Sequence, residues 1–231
     1  MPSIEDVVAD ALKWQPPIAE GKPSPLDSRA ALPIVSADHV LGSQRAPITL
    51  MLFGDFQCRY AMHTLRVLMQ RVQEQPQQYR LVWRERPLDV HPEAGGIATR
   101  AETLAAQSGE ADFWRFLLAV SRLRGSVTLA NSTAIVGALH HGSLSPDAKS
   151  MRRGAAQLAN DERVSAAYAV HVSPTVFLNG LRIEGEMVER ELDEVIDEEL
   201  AAVRQLLQEQ VPQARVYAIR VHANLLELDT D

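Results

Sequence analysis

Cysteine is almost missing from this chain. Its 231 residues include one, Cys58. A single cysteine excludes an intramolecular disulfide and a zinc site built on several thiolates. Lysine is nearly as scarce, with only Lys13, Lys22 and Lys149; the other basic residues are arginines. Acidic side chains outnumber basic ones 30 to 23, for a formal net charge of −7. That balance gives no electrostatic case for nucleic acid or an anionic membrane as partner. No apolar run reaches the roughly 18 residues that a membrane span needs. The opening residues, MPSIEDVVAD, lack the basic start and apolar stretch of a secretory signal. As it stands the chain reads as cytoplasmic, or as periplasmic if a signal has been removed. There is no glycine-rich phosphate loop, no carboxylate pair spaced for glycoside cleavage, and no internal repeat.

What is present is ordinary for a globular protein: 46% apolar and 23% charged residues. The length fits one domain with an insertion or tails. Residues 3–13 pattern as a short amphipathic helix, with Ser3 as N-cap and Asp6 three residues on. A stretch to about residue 33 carries Pro16, Pro17, Pro23, Pro25 and Pro33, and reads as an extended arm outside the core. Residues 47–54 (PITLMLFG) are nearly continuous in apolar side chains, as in a strand buried on both faces. Residues 58–74 have a broad apolar helical face, and 79–84 (YRLVWR) alternate like a strand. This is the order of a βαβ unit.

Four helical segments come next, at 92–107, 110–123, 131–141 and 146–170, broken at Gly109, Gly125 and Gly142. Strands return at 174–178 and 181–184, joined by Asn179-Gly180, the strongest short hairpin signal. A long acidic helix at 187–209 and a last one at 213–226 complete the pattern. The domain reading is an arm at 1–37, a core at 38–90 and 171–210, a helical insert at 91–170, and a helical tail at 211–231.

Cys58 sits where a buried strand gives way to a helix, in Phe53-Gly54-Asp55-Phe56-Gln57-Cys58-Arg59-Tyr60-Ala61. A lone cysteine is by default a small buried hydrophobe. Its position here argues otherwise. The first N–H groups of a helix have no intrahelical partner and the dipole is positive there, so the thiolate is favoured and nucleophilic. Arg59 adds to this where its side chain turns to the sulfur. His63 is five residues on, off the face of Cys58. His140 and His141 point about 100° apart on a helix and read as a solvated helix end, not a metal pair. The acidic run from Asp193 to Glu199 reads as a solvated face. Glu102, Glu110 and Asp112 read as helix starts and surface. No metal site is expected.

The stretch around Cys58 resembles the DsbA-like branch of the thioredoxin family, in which a strand leads into DFxCPxC. Further segments resemble that family in the same order. They are His39-Val40-Leu41-Gly42 with Ala46-Pro47-Ile48-Thr49-Leu50, then Arg86-Pro87-Leu88 with His91-Pro92, Phe113-Trp114, and Val172-Ser173-Pro174-Thr175-Val176-Phe177-Leu178-Asn179-Gly180. The match covers about residues 38–205. It implies a thioredoxin-like α/β core (βαβ … ββα) carrying a helical insertion, with Cys58 as nucleophile and Arg59, Tyr60 and Ala61 completing its motif. It also implies a cis peptide bond before Pro174. The Ser173 backbone would then offer its N–H and C=O to an extended peptide, as in strand addition.

Two departures stand out. Arg59 replaces the usual proline, and Ala61 replaces the second cysteine that resolves a mixed disulfide. The resemblance therefore implies a monothiol protein acting on protein or peptide thiols and disulfides. It needs no bound cofactor, with glutathione or another external thiol resolving, or a sulfenic acid formed by peroxide. The rival is a redox-inactive module that binds extended peptide beside Pro174. A further variant is a domain related to those fused to sodium/proton antiporters. The long acidic helix and the proline-rich arm would also suit a homodimer.

Overall fold

The structure, a computed structural model, describes residues 2–123, 125–140, 147–186 and 189–228. Within these, eight α-helices and five strands succeed one another. His141 and Gly142, and the start of the acidic helix at residues 187 and 188, lie outside the described residues. The chain forms two compact units, one from residues 1–16, 53–66 and 85–174, the other from 17–52, 67–84 and 175–231. No helix among the described residues is long and apolar enough to cross a membrane.

Three helices of the first unit begin at side-chain caps, on Ser3, Thr128 and Asp147. Helix α1 (Ile4–Lys13) starts at Ser3, whose hydroxyl accepts from the Asp6 N–H while its own N–H donates to the Asp6 carboxylate. In the second unit lies β1 (His39–Gly42), and β2 (Ile48–Gly54) is buried at every position. Helix α2 (Arg59–Glu74) and β3 (Tyr79–Glu85) come after it. Next are α3 (Ala94–Ser108), α4 (Glu110–Arg122), α5 (Leu129–Leu139) and α6 (Ala148–Ala167). Helix α3 packs on α6, and α1 on α4. A hairpin of β4 (Thr175–Leu178) and β5 (Leu181–Glu184), then α7 (Glu189–Gln208) and α8 (Gln213–Leu228), end the chain.

The five strands form one sheet in the order β1-β3-β2-β4-β5. Strand β1 pairs antiparallel with β3, from His39 opposite Trp83 to Gly42 opposite Arg80. Gly42 has φ +92°, and a Cβ there would run into the Tyr79 carbonyl, so this close approach needs glycine. The turn between β4 and β5 has Asn179 and Gly180 both at positive φ, as a tight two-residue hairpin requires.

Five sequence readings change. Strand β3 does not alternate between core and solvent; all seven residues are buried. Its arginines are interior because each has an acidic partner. Arg80 Nη1 lies 2.7 Å from Asp27 Oδ2, and Arg84 Nη2 lies 2.8 Å from Asp38 Oδ2. Those partners come from the proline-rich stretch and the residues just after it, which are packed rather than set apart: Leu32 and Ile34 are fully buried. In the acidic helix, Glu199 is buried, not solvated. It accepts from Arg220 through both oxygens, at 2.8 and 2.7 Å, and from Asn179 Nδ2 at 2.9 Å. Glu102 is likewise buried, and His140 is half-buried with Nδ1 2.7 Å from Ser108 Oγ.

Tyr217 closes this buried network in the second unit. Its hydroxyl donates to the Leu32 carbonyl at 2.7 Å and its ring lies 4.9 Å from the Arg80 guanidinium. Burial pushes its phenol up from the ordinary value of 10.0. A raised value means the folded state resists ionisation. Its contribution to stability is whole below the unfolded value and lost as pH climbs above it. Denaturation midpoints measured between about pH 8 and about pH 11 should therefore fall more for the natural protein than for Tyr217→Phe. Equal slopes would mean that Tyr217 ionises as freely in the folded chain as in the unfolded one.

Candidate active site

The candidate site lies wholly within the first unit. Strand β2 ends at Gly54, and the chain turns through Asp55, Phe56 and Gln57 before α2 begins. The Cys58 N–H donates to the Asp55 carbonyl at 3.0 Å, and the Cys58 carbonyl accepts from the Met62 N–H at 3.0 Å. Cys58 therefore stands at the cap position, just ahead of the first-turn N–H groups, which take no part in a helix's own hydrogen bonds.

Cys58 is 7% exposed. Its Sγ lies 3.1 Å from the carbonyl oxygen of Ser173, and the Ser173–Pro174 peptide bond is cis. The segment holding Ser173 is fixed by two further bonds. Arg86 Nε donates to the Val170 carbonyl at 2.9 Å, and the Ser173 hydroxyl accepts from the Asp55 N–H at 2.9 Å. Tyr60 and Val172, close in sequence to Cys58 and Ser173, are exposed large apolar side chains.

The other motif residues take separate places. Arg59 is exposed. Its Nη2 lies 2.5 Å from Tyr60 Oη, and its guanidinium sits over the Tyr60 ring at 4.5 Å. Ala61 is fully buried one turn beyond Cys58. The geometry thus joins Cys58 to Ser173 and Pro174, and Arg59 to Tyr60.

Two residues not singled out from sequence organise the site. The Asp55 carboxylate is completely buried. Its Oδ1 accepts from the Gln57 N–H at 2.7 Å; its Oδ2 accepts from the Leu88 N–H at 2.7 Å and lies 2.9 Å from His91 Nδ1. Asp55 thus ties the turn before Cys58 to the segment after β3. Gln57 reaches the helical insert: Nε2 donates to the Val127 carbonyl and Oε1 accepts from the Glu93 N–H, both at 2.9 Å. Phe56 adds an edge-on ring contact with Phe116 at 5.7 Å. The signal for Asp55 was its place inside the DFxC stretch; nothing local marks Gln57. Among the described residues no His, Cys, Asp and Glu side chains cluster as a metal site.

This architecture has solved counterparts. The catalytic domain of Proteus mirabilis ScsC matches over 75% of this chain and 95% of its own, at TM-score 0.63 and 17% identity. A periplasmic thioredoxin-like protein from Salmonella enterica serovar Typhimurium matches over 86% of this chain and 99% of its own, at TM-score 0.58 and 18% identity. The fold is thioredoxin-like, with a helical insertion. No family model matches the chain. In sequence it is similar to a sodium/proton antiporter, NhaA 1 of Salinispora arenicola, with 31% identity over 153 residues. That match takes in 64% of this chain but only 22% of the antiporter, so the chain spans about a fifth of that relative's length.

Proposed function

We propose that the protein is a DsbA-like thiol–disulfide oxidoreductase that works through Cys58 alone. The observation that carries this reading is the 3.1 Å contact between Cys58 Sγ and the Ser173 carbonyl, at the mouth of a helix N-terminus. In the proposed reaction the Cys58 thiolate attacks one sulfur of a substrate disulfide. A mixed disulfide forms at Cys58, and the other substrate sulfur leaves as a thiolate and takes up a proton. The Ser173 backbone and Pro174 hold the substrate chain in extended form beside the sulfur. Tyr60 and Val172 offer that chain apolar surface. With Ala61 in place of a second cysteine, the mixed disulfide waits for a thiol from outside. The Salmonella neighbour is named as periplasmic, and an oxidising compartment is where protein disulfides would meet such a site.

The test is to mix the reduced protein with a short peptide disulfide and monitor adducts by intact mass. One adduct at Cys58, stable until a small thiol is added and missing from Cys58→Ser, is the expected result. If only the denatured protein forms an adduct, Cys58 is an inert interior thiol. The surface beside Pro174 would then serve binding without redox chemistry.

A further inference from the structure

A cleft of about 400 Å³ opens in the first unit, lined by both sequence neighbours of Cys58, Gln57 and Arg59, though not by Cys58 itself. That volume falls in the range of small-ligand sites. Arg59 and Arg66 supply two positive charges to its wall, and among the described residues no acidic one lines it. Phe56, Met62, Val120 and Val127 make the apolar part. Arg66 is half-buried, and its Nη1 donates to the neutral Ser121 carbonyl. Burial, and then the like charge of Arg122, push its guanidinium down from the ordinary range. Arg122 itself is paired with Asp10 at 3.1 Å. A partly desolvated cation bonded to a neutral carbonyl, in a cleft walled by the residues on either side of Cys58, is a place for an anion.

We propose that this cleft takes an anionic low-molecular-mass thiol, its carboxylates held by Arg66 and Arg59 and its sulfur directed at Cys58. This rests on the reading of Cys58 as a lone nucleophile, and a second molecule of the same thiol does the resolving that Ala61 cannot. The Cys58 thiolate attacks the small-thiol sulfur of a mixed disulfide between that thiol and a protein; the protein sulfur leaves as a thiolate and is protonated. A second small thiolate then attacks the same sulfur in the Cys58 adduct, forming the small disulfide and returning Cys58 as a thiolate. In total the two small-thiol sulfurs end as a disulfide and the protein sulfur ends as a thiol, so one small thiol is oxidised and the protein sulfur is reduced. Preference for an anion here would run against the whole-chain charge of −7, so it must come from the cleft.

The experiment compares rates of Cys58 adduct formation with glutathione disulfide, which is anionic, and 2-hydroxyethyl disulfide, which is neutral. Each is divided by its rate with a free model thiol. The ratio is expected to favour glutathione disulfide about tenfold at low salt and to shrink as salt rises. Arg66→Met should bring it to about one, and Arg66→Lys, which keeps the charge, should retain most of it. A ratio near one in the natural protein, or one unchanged by Arg66→Met, overturns the proposal and leaves the lone-nucleophile reading standing. Failure of both disulfides to react removes that reading, and this one with it. Should Arg66→Met not fold, the natural ratio, its salt dependence and the lysine variant decide the matter.

Discussion

Ala61→Cys is expected to turn a protein that stalls as a mixed disulfide into one that frees its substrate unaided. Ala61 lies three residues after Cys58 on the first turn of α2, a spacing that helical geometry turns into a Cα–Cα separation of about 5 Å. That separation is within disulfide reach. A thiol built into the same turn would act at an effective concentration well above any external thiol. The lifetime of the mixed disulfide should drop by about a hundredfold. Because Ala61 is fully buried, the added sulfur will cost about 1–3 kcal/mol of stability through overpacking. Quenched-flow trapping of the peptide adduct measures the lifetime, and thiol titration after oxidation should find two thiols lost where the natural protein offers one. An adduct as long-lived as the natural one would show that the buried position cannot reach the sulfur.

The largest loss of stability in the site is expected from Asp55→Ala. It removes the acceptor for the Gln57 and Leu88 N–H groups and the partner of His91, all around a carboxylate with no solvent access. Buried donors left without partners cost about 1–3 kcal/mol each, so a loss of about 3 kcal/mol or more should appear as a lower urea midpoint. Asp55→Asn keeps one oxygen and the side-chain volume, and should fall in between, since its amide nitrogen then faces a donor. The Ser173 hydroxyl bonds to the Asp55 backbone N–H, which neither variant removes. A midpoint for Asp55→Ala equal to that of the natural protein would mean that water takes over all three contacts.

Much of this fold is written in local patterns. Ser3 and Asp6 mark the start of α1 by themselves, because a capping box is made within four residues. Asn179-Gly180 marks its hairpin because few other pairs tolerate two positive φ values. The strand-to-helix junction at Cys58 was equally visible. What escaped depends on partners distant in sequence. Arg80 and Arg84 look like the solvent face of a strand until Asp27 and Asp38 are brought to them. Glu199 looks like one more acid in an acidic helix until Arg220 closes on it. The proline-rich stretch carries no periodicity, so the burial of Leu32 and Ile34 has no local sign. Asp55 was in plain view, but its bonds to Leu88 and His91 cross more than thirty residues. Cys58 is marked by its junction, but Ser173 and Pro174 are named only through the family pattern, because 115 residues separate the two halves of that contact.

The second unit is drawn from three pieces of chain, with residues 85–174 between the second and the third. Asn179 belongs to the last piece and closes on the first. Its backbone and side chain bond to Thr49 and Pro47, about 130 residues earlier. On a ribosome adding about 5–20 residues per second, the ninety intervening residues take roughly 5–20 s to make. For that interval β2 waits without β4, the neighbour that the finished sheet sets beside it. A nascent chain in that state shows an apolar strand with an open edge, the form most prone to pair with the wrong partner. The late arrival of its last strands makes this a chain whose yield on expression should depend on chaperone supply and on the pace of translation through the helical insert.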